Sequence, residues 1–249
     1  MKFAITPCPN DTFAFFALIS KIGKNLDFEF ERHDIETLNE FAFEAKYPIT
    51  KLSFPAYLAN RDKYELLDAG AALGIETGPV FVARRGWSGG RVAVPGLNTT
   101  AALLYRFYAG KDAEIFPMLF SDILPAFSRN EIDAGVLIHE GRFVYKDYGL
   151  ELVEDLGDYW TKKTGLPVPL GCICVRKDFA SLKGAIEDEI RKSVKYSFGH
   201  FDETLPLVRH YAQHLQEDVL HSHIVAFVNE FTYDISKIKD SLISNLLLK

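Results

Sequence analysis

A strand, a short polar turn and a helix recur along most of this chain, and that alternation limits its fold more than any other feature. Phe3-Ala-Ile5 runs into Pro7-Cys-Pro-Asn10-Asp11, and an apolar helix is expected over residues 12–22. Phe28, Phe30 and Arg32 alternate with Glu29 and Glu31, the period-two pattern of a half-buried strand. Thr37-Leu-Asn-Glu40 has the spacing of a capping box, with Leu38, Phe41, Ala42 and Ala45 following on one helical face. Pro48-Ile-Thr-Lys-Leu-Ser53 predicts a strand ending in a cap, and Pro55 sits in the first turn of the next helix.

The middle of the chain repeats this grammar. Gly90-Arg-Val-Ala-Val-Pro95 predicts a strand, and Asn98-Thr99-Thr100 opens a helix through Ala101, Leu103, Leu104 and Phe107. Residues 114–120 predict a strand, with Ser121 capping the helix after it. Asp133-Ala-Gly-Val-Leu-Ile138 predicts a buried strand with His139-Glu140 at its C-terminal end. From about Leu182 onward the pattern is helical: residues 186–198, 203–215, 219–231 and 235–248. Alternating strands and helices imply an α/β fold with largely parallel sheets. The apolar segments 78–83 and 168–175 bracket the middle unit, so the chain is expected to leave one domain, build a second and return. That gives a discontinuous first domain, residues 1–83 plus 175–249, and a second domain, residues 84–174.

Composition narrows the function classes. The chain has 249 residues, 48% of them hydrophobic and 25% charged, which excludes disorder, collagen-like sequence and a coiled-coil rod. Its net charge of −6 offers no electrostatic footprint for nucleic acid or anionic lipid. The early apolar stretch from Phe13 to Ile19 falls far short of the roughly 18–20 residues a bilayer span needs. Pro7, Pro9, Asn10 and Asp11 interrupt any signal-peptide core, so a cytoplasmic protein is expected. Cys8, Cys172 and Cys174 build no disulfide framework, and Cys172-Ile-Cys174 lacks the spacing of a redox or zinc motif. The last two are expected as small apolar residues of a buried strand.

In open α/β sheets, ligands bind beyond the carboxyl ends of the strands. Four polar clusters fall at such ends: Asn10-Asp11-Thr12, Lys51-Leu52-Ser53, Asn98-Thr99-Thr100 and His139-Glu140. Ser53, Thr99 and Thr100 combine hydroxyls with helix-start N–H groups, which suits a carboxylate or phosphate. The expected ligand is a small anion. Each residue also has an ordinary structural explanation: Asn10, Asp11 and Ser53 resemble N-caps, and Lys51 a solvated surface lysine. His139 stands out because a strand-end imidazole that titrates near neutrality can take a proton and return it. His33, His200, His210, His214, His221 and His223 fall in charged or helical contexts and are expected at the surface or in packing. No G-x-G-x-x-G, Walker, H-E-x-x-H or G-x-S-x-G motif is present, which disfavours nicotinamide, nucleotide and zinc chemistry.

Thr6-Pro-Cys-Pro-Asn-Asp-Thr-Phe13 resembles a signature of the 1,4-dihydroxy-6-naphthoate synthase family, which serves the futalosine route to menaquinone. The likeness continues through residues 34–39, 50–53, 92–96 with Thr99 and Thr100, 138–143, 164–171 and 227–231, in order along nearly the whole chain. It implies a two-lobed α/β fold of the type II periplasmic-binding-protein-like class, with two crossover strands and an interdomain cleft. It implies a lyase that converts cyclic dehypoxanthine futalosine to 1,4-dihydroxy-6-naphthoate with no metal or organic cofactor. His139 is then the general base, and Lys51, Leu52, Ser53, Thr99 and Thr100 contact the substrate; Asn10 and Asp11, from the strand-end clusters, are expected to bind it as well. Removal of a proton beside a carbonyl or hydroxyl opens the sugar-derived ring and breaks the connecting carbon–carbon bond, and aromatisation drives the release. One departure is visible: Gly141 stands where the family commonly has serine. The alternatives are a non-catalytic cytoplasmic small-anion binding protein of the same fold, a sensor that kept the pocket and lost the reaction, and the related chorismate dehydratase.

Overall fold

A computed structural model describes residues 1–75, 77–139, 141–212 and 217–247, so Glu140 and His214 lie outside the described residues. In chain order the elements are β1 (Lys2–Ile5), α1 (Pro9–Ala14), α2 (Phe16–Ile19), β2 (Glu29–Arg32), α3 (Ile35–Phe43), β3 (Ile49–Ser53), α4 (Phe54–Ala59), β4 (Tyr64–Leu66), β5 (Ala72–Gly74) and β6 (Val80–Ala83). There follow β7 (Val92–Val94), α5 (Thr100–Ala109), β8 (Ile115–Pro117), α6 (Phe120–Ser128), β9 (Ala134–Leu137), α7 (Gly141–Val144), β10 (Glu151–Asp155), α8 (Leu156–Thr164) and β11 (Val168–Arg176). The tail is helical: α9 (Lys183–Gly199), α10 (Phe201–Tyr211), α11 (Glu217–Phe227), α12 (Glu230–Tyr233) and α13 (Lys239–Leu247).

The chain forms two compact units, Met1–Leu73 with Pro169–Leu248, and Gly74–Val168. These boundaries correct the expected 1–83 plus 175–249 and 84–174, and strand pairing is the reason. Strand β6 pairs antiparallel with β9 and β10, which places residues 80–83 in the second unit. Strand β11 pairs antiparallel with β3 from Gly171↔Ser53 to Val175↔Ile49, which places residues 171–174 in the first.

In the first unit the sheet order is β2-β1-β3-β11-β4, with β5 added against β11. Strand β1 is parallel to β2 and β3, whereas β11 returns antiparallel to β3 and β4. The expected predominance of parallel pairs therefore holds only for strands joined through a helix. Phe3, Ile5, Ile173 and Val175 from the sheet pack with Phe13 and Phe15, and the tail closes over them with Ile186, Ile190, Val194, Val208, Leu220 and Ile224. In the second unit the order is β10-β6-β9-β7-β8, with β7 parallel to β8 and β9. Its core is Val80, Val82, Ala93, Ile123, Phe127 and Leu137.

Several expected element ends shift. The helix expected over 12–22 starts at Pro9 and breaks at Phe15, whose backbone leaves the helical region at φ −100° and ψ 13°. Helix α3 is capped by Asp34, whose carboxylate accepts from the Glu36 N–H at 2.9 Å, so Thr37 and Glu40 lie inside the helix and form no capping box. Helix α6 begins after Leu119 rather than at a Ser121 cap, because Met118 is still bonded to Val94 O and the turn starts at once. The helix expected over 219–231 is two helices, divided where Asn229 caps α12.

Candidate functional site

The first unit gathers a buried polar group at the carboxyl ends of β1 and β3. Asp11, in the first turn of α1, is 2% exposed, and Lys51 on β3 is 5% exposed. Asp11 Oδ2 accepts from the Thr6 backbone N–H at 3.1 Å and from Thr6 Oγ1 at 2.6 Å. Its Oδ1 accepts from Asn10 Nδ2 at 2.8 Å and from Lys51 Nζ. Four donors therefore fill the roughly four lone-pair sites of this carboxylate. A buried ion pair persists only when its remaining hydrogen-bonding capacity is met, and Thr6 and Asn10 meet it on the acidic side.

On the basic side the described residues meet only part of the capacity. An ammonium carries three donors. Asp11 takes one from Lys51, and the other two have no acceptor among the described residues. Two positions along β3, on the same face by strand alternation, Ser53 is 2% exposed. Ser53 N donates to Asn39 Oδ1 at 2.9 Å and its Oγ accepts from Asn39 Nδ2 at 3.1 Å. Its hydroxyl proton has no acceptor among the described residues. Ser53 therefore makes no side-chain cap for α4, and it and Lys51 present unmatched donors on one strand face. Buried donors left without acceptors are costly, so this pairing fits an incoming anion. Leu52 points to the other face into the core, and its carbonyl accepts from Cys172 Sγ at 3.6 Å.

Gly171 sits opposite Ser53 on β11, and a Cβ there would lie 2.9 Å from Lys51 Cε. The glycine thus leaves the channel that the lysine stem occupies. Cys172 and Cys174 are fully buried on the same strand, their sulfurs 3.8 Å apart, and burial pushes the Cys174 thiol well above its ordinary range. Such a thiol is inert, in keeping with cysteines that act as small apolar residues.

In the second unit two features sit at strand ends. Thr99 caps α5: its Oγ1 accepts from Ala102 N at 3.2 Å and donates to Gly96 O at 2.7 Å. Thr100 opens the helix, and both threonines are 3% exposed. The Thr99 hydroxyl proton is thus committed to the protein, and an anion here would meet the positive end of a ten-residue helix. His139 follows β9 by two residues and is half-buried, with φ 52°. Left-handed backbone is uncommon outside glycine, and Asn, Asp and His are the residues that adopt it most readily. The imidazole meets the Phe120 ring edge-on, centroids 5.0 Å apart. Arg142, just beyond, donates to Asp155 Oδ2 at 3.0 Å and to Gly78 O, while Asp155 caps α8. Arg142 thus ties α7 to the body of its own unit.

One residue of this group was missed by sequence reasoning. His223 on α11 is fully buried, and its Nε2 lies 3.1 Å from Asn10 Oδ1. It was expected at the surface or in packing with the other histidines of the tail. The available signal was its place on the stripe Leu220, Ile224 and Phe227, where a polar side chain needs a buried partner.

Two sheet-based units with helices on their faces, and polar residues at the strand ends, are the construction of a periplasmic-binding-protein-like fold. A solved protein from Archaeoglobus fulgidus is similar to this chain with a TM-score of 0.92 and 37% identity, over 99% of this chain and 96% of that one. The periplasmic aliphatic sulphonate binding protein of Escherichia coli shares the fold alone, with a TM-score of 0.65 and 9% identity over 91% of this chain and 78% of that one. The family model described as menaquinone biosynthesis matches residues 1–246. The chain belongs to this menaquinone biosynthesis family. Among curated relatives, a 1,4-dihydroxy-6-naphthoate synthase of Thermus thermophilus is 40% identical over 99% of this chain and 92% of its own length. One of Streptomyces coelicolor is 36% identical over 100% of this chain and 92% of its own length.

Proposed function

We propose that this protein is a 1,4-dihydroxy-6-naphthoate synthase, a carbon–carbon lyase that acts on cyclic dehypoxanthine futalosine. The observation that carries the assignment to chemistry rather than to binding alone is His139: a basic side chain held in left-handed backbone at a strand end, against an aromatic ring. Sparsely populated backbone costs on the order of 1–3 kcal/mol and recurs at functional sites.

In this reading His139 takes the proton whose loss opens the sugar-derived ring, and returns one as the connecting bond breaks. Lys51 and Ser53 supply the donors counted above to the substrate's oxygens, and Leu52 shapes the strand that carries them. The start of α5 at Thr99 and Thr100 holds the carboxylate. Asn10 and Asp11 stand behind Lys51. The whole scheme is acid–base chemistry on a small anionic substrate, and it calls for no cofactor.

No helix among the described residues is long and apolar enough to cross a membrane. Cys8, Cys172 and Cys174 are buried and none is joined in a disulfide among the described residues, in keeping with a reducing, cytoplasmic compartment, which cell fractionation tests.

The test of function is to incubate the purified protein with cyclic dehypoxanthine futalosine, and separately with chorismate, following products by chromatography and mass. Release of 1,4-dihydroxy-6-naphthoate from the first is the expected result. Turnover of chorismate alone would make the protein a dehydratase, and binding without release of either product would make it a small-anion binding protein.

A further inference from the structure

We propose that His223 is a positioning residue for Lys51, acting through Asn10 and Asp11; this deepens the synthase reading and rests on it for the identity of the substrate. The four side chains form one unbroken chain across the first unit. His223 Nε2 lies 3.1 Å from Asn10 Oδ1, Asn10 Nδ2 lies 2.8 Å from Asp11 Oδ1, and Asp11 Oδ1 accepts from Lys51 Nζ. All four are at least nine-tenths buried, and His223 is fully so.

The chemistry of the donors fixes the direction of the chain. An ionised carboxylate only accepts, so the amide of Asn10 must turn its nitrogen towards Asp11. Its oxygen then faces the imidazole, and Nε2 of His223 must be the nitrogen that carries the proton. If that donor is lost, the Asn10 oxygen is stranded in the interior and the amide loses the contact that holds its orientation. Turned the other way, Asn10 would set an oxygen against the Asp11 carboxylate and drive it away from Lys51. The imidazole is itself fixed by α11: it packs against Phe227 one turn on, ring centroids 4.8 Å apart. A helix of the tail thereby sets the place of an ammonium on β3.

Since Lys51 is a substrate contact in this reading, a displaced ammonium weakens substrate binding in ground and transition states alike, which raises KM more than it lowers kcat. A displacement approaching 1 Å can cost about a hundredfold in kcat/KM. His223→Leu removes the donor and keeps an apolar side chain in the core. His223→Gln restores an N–H where Nε2 stood.

The experiment measures KM and kcat for naphthoate release by wild type, H223L, H223Q and Asn10→Ala, each checked for folding by circular dichroism. The expected result is a KM raised about tenfold or more in H223L and N10A with kcat changed far less, and a KM for H223Q closer to wild type than to H223L. A purely structural histidine would lower melting temperature and leave KM alone, and that outcome overturns the proposal. Should H223L fail to fold, N10A breaks the same chain without touching α11, and an unchanged KM there overturns it equally.

A second readout is independent of turnover. The Asn10 side-chain amide protons, held by Asp11 and closed from solvent, exchange slowly by NMR in wild type and H223Q, and about tenfold or more faster in H223L. Equal exchange in all three contradicts the proposal. An inert wild type with the expected exchange pattern overturns the synthase reading while leaving the positioning role standing.

Discussion

Gly171→Ala moves Lys51 without altering any charge. Gly171 lacks positive φ, so alanine meets no backbone penalty there, and its Cβ would sit 2.9 Å from Lys51 Cε and 3.5 Å from Leu52 O. Carbon atoms pack at about 3.5–4.0 Å, so the lysine stem must retreat by roughly 0.6–1 Å. It cannot do so at constant geometry, because its ammonium is tied to Asp11, which three other donors hold in place. Overpacking of this kind costs about 1–3 kcal/mol, offset by the 0.4–1 kcal/mol or so that alanine gains over glycine through the unfolded chain. The net expectation is a loss between about zero and 2.6 kcal/mol, seen as at most a modest drop in the urea midpoint with an unchanged m-value. Function falls further: a shift of up to about 1 Å in a positioning group costs up to about a hundredfold in kcat/KM. The assays are equilibrium urea unfolding and steady-state naphthoate release. Wild-type kcat/KM in a folded G171A protein would refute the argument that the glycine exists to admit Lys51.

Asp11→Asn leaves the Lys51 ammonium buried with no counter-charge, and a loss of about 3–5 kcal/mol in urea unfolding is expected. The double variant D11N/K51M removes the orphaned charge and is expected to be more stable than D11N alone; a double variant less stable than D11N would contradict the pairing. At the edge of the same sheet, Glu31 is held down to about 2, first by its hydrogen bond from Lys2 and then by that from Tyr47. Its folded value lies below the ordinary 4.5, so its contribution is fully present above that pH and disappears as pH falls towards 2. Glu31→Gln should therefore flatten the fall of stability across that window, and an acid-unfolding profile identical to wild type would count against it.

Much of this site was legible because it rests on local chemistry. The strand through Lys51, Leu52 and Ser53, the Thr99 cap of α5 and the strand end at His139 each follow from patterns within a few residues. Local patterns also misled where two good candidates compete. Asp34 and Thr37 both precede a helical face, and the stronger acceptor, three residues earlier, took the cap. What the chain could not display is partnership between distant residues. Segments 78–83 and 168–175 were visible as apolar strands, but which sheet each joins depends on register with strands far away. Lys51 looked as fit for solvent as for burial because its partner lies 40 residues off, and His223 looked like packing because its partner lies 213 residues off.

His139→Asn tests the central claim most directly. Asparagine adopts left-handed backbone readily and keeps a polar side chain, so the turn at φ 52° is preserved while the proton acceptor is removed. Turnover of cyclic dehypoxanthine futalosine and substrate-induced thermal stabilisation are measured together on wild type and H139N. The account predicts turnover reduced by about 10²–10⁴-fold with stabilisation by substrate retained. An H139N protein that releases naphthoate at the wild-type rate would contradict it.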